Sequence, residues 1–124
     1  MVVTTYIVDK DGNQADAVNV TTPSNRYFRD AWSLSGDVIT EDLDVAKEIF
    51  KDKIREVRKP LLEAEDVAYI KALEDDDATA KAISKAKKDN LRDAPAASAI
   101  DAATDITGLK ATWDSDLLGD SPYT

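Results

Sequence analysis

Leu43, Ala46, Phe50, Ile54, Val57, Leu61, Ala64 and Ala68 follow one another at steps of three and four residues. Only an α-helix puts positions so spaced on a single face. From Phe50 onward the steps alternate four and three, the period of a seam packed against another helix. Thr40 or Asp42 can cap the start of this helix. Continued to Leu73, it would be on the order of 50 Å long at about 1.5 Å per residue. A chain of 124 residues has to be organised around such an element.

Two features modify that helix. Pro60 lacks a backbone donor and clashes with the carbonyl four residues earlier, at about 3 kcal/mol in a helix interior, so a kink or break is expected near Arg58 to Pro60. A second apolar set, Leu62, Val67, Tyr69, Ile70 and Leu73, lies partly off the main seam and calls for a second covering neighbour. The helix should end at Asp75, Asp76 and Asp77, whose charges also suit the N-terminus of the next helix. That helix, Ala78 to about Arg92, offers a lean apolar face of Ala80, Ile83, Ala86 or Lys87, and Leu91. Pro95 closes it, because the residue before a proline is pushed from helical geometry. Short helices are expected over Ala96 to Ala103 and within Thr104 to Trp113, with Ile106, Leu109 and Trp113 inward.

The chain before this body has a different grammar. Val2 to Val8 is dense in β-branched and aromatic residues and reads as a strand, with Asp9 to Asn13 as a hairpin turn and Ala17 to Thr21 as the return strand. The turn superficially resembles a calcium loop, but its glycine falls too early and no glutamate closes it. Ser35, Gly36 and Asp37 center a second hairpin from about Ala31 to Thr40, and Tyr27, Phe28 and Trp32 are core candidates. The expected fold class is α+β: an N-terminal β-hairpin region over 1–40, a helical body built on a helical hairpin over 41–113, and an extended C-terminal tail over 114–124. The three parts should pack as one domain.

Charge and residue types narrow the function. Twenty-five acidic against 16 basic residues give a net charge of −9, a field that opposes nucleic-acid phosphates. The chain has no cysteine and no histidine, so disulfides, thiolate chemistry, cysteine-ligated zinc and imidazole proton transfer are all excluded. No stretch is apolar enough to cross a bilayer, and the first nine residues do not read as a signal peptide. Glu63, Glu65, Asp66 and Glu74 lie in a strongly polar stretch and read as a solvated face rather than an acid and base pair. Lys47, Lys51, Arg55 and Lys59 run beside Glu48, Asp52 and Glu56, each acid three residues before a base, as pairs along a helix surface. The basic cluster Lys81, Lys85, Lys87, Lys88 and Arg92 lacks interleaved aromatics and complements the acidic 63–77 stretch or a partner. No enzymatic role, cofactor or metal is expected. The candidate partner-binding residues are Trp113, Leu117, Leu118 and Tyr123 in the tail, with Tyr69 and Leu62 on the long helix; for Trp113 and Tyr123, packing within the chain is an equal alternative. The four-three seam permits self-association and is equally satisfied by the chain's own second helix.

Three stretches carry a resemblance: Pro23 to Trp32, the helix from Ala46 to Leu73 with Arg55, Arg58, Pro60 and Asp66, and Leu91, Arg92, Asp93 together with Leu109 to Trp113. Together they resemble small bacteriophage proteins found among tail and tail-fibre genes, and the last part is similar to the helical end of tail fibre assembly proteins. The resemblance implies a virion protein, assembled in the host cytoplasm, that binds tail, fibre or capsid proteins and has no catalytic residues. It leaves three roles open: tail or fibre component, fibre assembly chaperone, and capsid decoration protein.

Overall fold

The computed structural model describes residues 6–123. It has the expected α+β arrangement, two small antiparallel strand pairs leading into a mostly helical body. Strands β1 (Tyr6–Val8) and β2 (Gln14–Asp16) pair with Ile7 opposite Ala15. The remainder of the strand expected from Val2 lies outside the described residues. The return strand begins earlier than the Ala17 to Thr21 expected, because the turn is tight: the Asp9 amide donates to the Asn13 carbonyl at 2.9 Å, and Gly12 takes φ +85°. Reversal is therefore complete at Asn13. Thr21 instead bridges Val38 in parallel, the Ile39 amide donating to its carbonyl at 2.8 Å.

Strands β3 (Trp32–Ser35) and β4 (Val38–Glu41) form the second hairpin close to where it was expected, with Leu34 opposite Ile39. Gly36 supplies the positive φ that its tight loop needs, at +62°. A single 3-10 turn, Arg29–Ala31, precedes β3 and packs on the long helix.

Helix α1 (Leu43–Glu74) is 32 residues long, about 48 Å at 1.5 Å per residue. Asp42 caps it, its carboxylate accepting from the Asp44 and Val45 amides at 3.1 and 3.3 Å. The helix runs through Pro60 without the break that the sequence suggested. Pro60 is exposed, and clamps to the following helix hold α1 on both sides of it. On one side, Arg58 Nη1 donates to the Leu91 and Arg92 carbonyls at 3.3 and 2.7 Å. On the other, Ser84 Oγ donates to Glu65, 3.0 Å from the carbonyl and 2.9 Å from Oε2. Tertiary contacts thus outweigh a local cost of about 3 kcal/mol.

Helix α2 (Ala78–Asp93) lies antiparallel to α1, and Asp77 caps it by accepting from the Ala80 amide. The face it turns inward includes the expected Leu91 and, half-buried, Ala80, but differs between them. Ile83 is 55% exposed, while Ser84 is buried. The small serine permits close approach, and its hydroxyl is satisfied by Glu65. The main seam also drifts: Phe50 and Ile54 are buried and Leu61 is half-buried, but Ala64 and Ala68 are exposed and Ala72 takes the inward place. A straight helix departs by about 20° per heptad from a seven-residue repeat, which moves the later seam positions off the contact.

After a 3-10 turn at Ala94–Ala96, three short helices wrap the base: α3 (Ser98–Ala102), α4 (Ile106–Ala111) and α5 (Ser115–Leu118). The tail, expected to be extended, carries that last helical turn and folds back on the body, because Asp114 caps it through the Leu117 amide. The core joins Phe28 and Ala31 to Ala46, Phe50 and Ile54 of α1, Leu91 of α2, and Ile100, Leu109, Trp113, Leu118 and Tyr123 from the C-terminal third.

Candidate interaction surface

The molecule has a packed base and a projecting arm. The base is the core just described. The arm is the outer part of the α1–α2 hairpin, beyond about Leu62 on α1 and before about Lys88 on α2. Within the arm only Ala72 and Ser84 are buried. Its two helices are joined mainly by charge: Lys88 Nζ lies 2.7 Å from Asp66, Lys87 3.7 Å from Glu65, and Lys81 4.0 Å from Asp76. Three of the five residues of the basic cluster therefore answer the acidic stretch within the same chain, while Arg92 pairs with Asp89 on its own helix. Such exposed pairs contribute about 0–1 kcal/mol each, so they fix register more than they stabilise.

The arm leaves large apolar side chains uncovered. Val67, Ile70, Leu73 and Ile83 are 53%, 54%, 55% and 55% exposed. The first three stand at three-residue steps on α1, so they form a diagonal ribbon on the helix surface. They belong to the second apolar set, whose off-seam spacing was the signal that found them. Ile83 carried no such signal, since its spacing suited the inner face equally well.

The six candidate binding residues separate into two groups. Trp113, Leu118 and Tyr123 are buried in the base and have little area left to bury on a partner. Trp113 Nε1 donates to the Gly119 carbonyl at 2.9 Å, which closes the tail around the indole. The Tyr123 ring stacks on Phe28 and Phe50 at 5.1 and 5.4 Å and meets Tyr27 and Trp113 edge-on. Burial, aided by the Glu56 carboxylate, pushes its hydroxyl up to about 12. These are intramolecular anchors. Tyr69 and Leu62 are half-buried on the arm, with Lys88 Nζ 5.1 Å above the Tyr69 ring. Leu117 is half-buried beside a groove at the foot of the arm.

Two other features bear on chemistry. Among the described residues, no group of three or more acidic side chains is arranged to hold a metal ion, and no helix is long and apolar enough to cross a membrane. Trp32 Nε1 and Glu41 Oε2 are buried without a hydrogen-bond partner on facing strands. Burial raises the Glu41 carboxyl above its ordinary value, partly offset by Lys110.

No family model matches the chain, and neither a curated protein nor a solved structure shows significant similarity to it.

Proposed function

We propose that this chain is a non-enzymatic structural and interaction protein of a bacteriophage virion, associated with the tail or tail fibre, that docks on other virion proteins. The observation that carries the docking part is the arm, where Val67, Ile70, Leu73 and Ile83 are all more than half exposed beyond the core. Its assignment to a phage rests on the sequence resemblance. Assembly in the host cytoplasm and residence in the virion go with that assignment.

Magnitudes say how such an arm would be used. Covering the exposed half of each of the four side chains is worth about 1 kcal/mol per residue, about 4 kcal/mol in all, as half of the roughly 1.5–3 kcal/mol that full burial of such a side chain contributes. Association costs about 4–15 kcal/mol, so the arm alone holds a partner weakly. Repetition around a symmetric particle, or a second contact on the same molecule, would make the attachment stable. Weak, reversible contact also favours the second reading, a fibre assembly chaperone that releases its client. A capsid decoration protein would use the arm in the same way as a tail component.

The test is mass spectrometry of purified particles together with an arm variant. The protein is expected in the particle, and Ile70→Asp with Val67→Asp should deplete it at least tenfold while helicity in solution is kept. Absence from particles would sink the structural reading. A fibre soluble only when co-expressed with this chain would support the chaperone instead.

A further inference from the structure

At the foot of the arm, where α1 and α2 meet α3 and α5, lies a groove of about 950 Å³. Its apolar walls are the half-buried Leu61 and Leu117 with the exposed Ala64, and the core residues Leu91, Ile100 and Leu118 close it from beneath. Its rim is acidic: Asp93, Asp114 and Asp116 are all exposed there. The cation in the lining, Lys87, is paired with Glu65 at 3.7 Å. We infer that this groove is the second contact the arm requires, and that it takes a basic segment of a partner protein, an apolar anchor flanked by lysines or arginines. The inference rests on the proposed role as an interaction protein and names the chemistry of its partner.

Three arguments select this occupant. A concave apolar floor of this size accepts one or two large side chains, and burying them supplies the hydrophobic free energy the arm lacks. Carboxylates around a low-dielectric hollow focus a negative field, which favours lysine or arginine beside the anchor and opposes acidic segments. A second copy is the poorer fit: it brings another charge of −9, and four of the five residues of its own basic cluster, Lys81, Lys87, Lys88 and Arg92, already face acids of their own chain.

The experiment uses the full chain and a short amphipathic peptide of leucine and lysine, with its leucine and glutamate counterpart as control. Amide shifts in ¹⁵N spectra are the readout. The lysine peptide should move resonances from Leu91 to Ile100 and from Thr112 to Leu118, with an affinity that falls as salt rises, and the glutamate peptide should not. Asp93→Lys with Asp116→Lys, neither of which donates or accepts a bond within the floor, should weaken binding about tenfold. Ala64→Trp, on an exposed helical position that lines the hollow, should block it sterically with the fold intact. Shifts confined to Val67, Ile70, Leu73 and Ile83, equal binding of both peptides, or full affinity in Ala64→Trp would each overturn the inference. Any of these outcomes, with the protein still found in particles, would remove the groove and leave the docking role standing; absence from particles would remove the docking role whatever the peptide does.

Discussion

Four donors converge on the Asp9 carboxylate: the Asp11 and Asn13 amides at 2.9 and 2.8 Å, the Asn13 side chain at 3.1 Å, and the Leu34 amide at 2.8 Å. The first three close the β1–β2 turn, and the fourth fastens that turn to β3, where the Lys10 amide also donates to the Trp32 carbonyl. The Leu34 bond does most to hold the carboxyl down at about 2 from 3.8, with burial opposing and the Asn13 and Asp11 donors assisting. A folded pKa below the unfolded one means a stabilisation present above about 3.8 and lost as pH falls through about 2. Asp9→Asn should therefore lower the midpoint of denaturant unfolding at neutral pH, and the difference from the parent chain should shrink across that acidic window. A difference independent of pH would show that the charge plays no part. The turn itself was legible from Asp9, Gly12 and Asn13. The bond to Leu34 was not, because it spans 25 residues and no local pattern encodes it.

The hairpin of α1 and α2 shows what periodicity can and cannot report. Apolar steps of three and four located α1 within a few residues, and the aspartates at both of its ends proved to be caps. On the partner face of α2 the periodicity finds Leu91 but not Ser84, because Ile83 and Ser84 are adjacent and hydrophobicity favours the isoleucine. Geometry favoured the serine, which lets the helices approach and shares a bond with Glu65. Local propensity likewise overstated Pro60. Its cost is real but is absorbed by the contacts on either side, so removing it should be visible in stability rather than in fold. Pro60→Ala restores a donor for the Glu56 carbonyl and relieves the ring clash, while giving the unfolded chain more freedom. The net expectation is a gain of about 1–3 kcal/mol in denaturant unfolding, with helicity unchanged. A loss of stability would mean that the proline sets an angle the α2 packing depends on.

Across the whole molecule, the C-terminal tail reinforces the direct packing of the Arg29–Ala31 turn on the long helix. Tyr123 lies between Phe28, which precedes β3, and Phe50 of α1, and Trp113 meets both Phe50 and Tyr123 edge-on. In the sequence Trp113 and Tyr123 suit a partner and their own core equally, and in the fold both, with Leu118, anchor their own chain: sequence shows that an aromatic residue needs cover without showing which surface gives it. Tyr123→Ala should cost about 3 kcal/mol, as expected for emptying an aromatic site in a core, and should loosen the strand region along with the tail. Tyr123→Phe keeps the stacking and separates packing from ionisation. The Tyr123 hydroxyl titrates at about 12 in the folded chain against 10.0 ordinarily, mainly because burial disfavours the phenolate. A raised folded pKa gives a stabilisation that is complete below 10.0 and disappears as pH climbs through about 12. The parent chain should accordingly lose stability over that alkaline interval in step with tyrosinate absorbance, and Tyr123→Phe should lose less of it. Equal alkaline losses in the two chains would mean that Tyr123 ionises without disturbing the aromatic cluster, and that the tail is held by Trp113 and Leu118 instead.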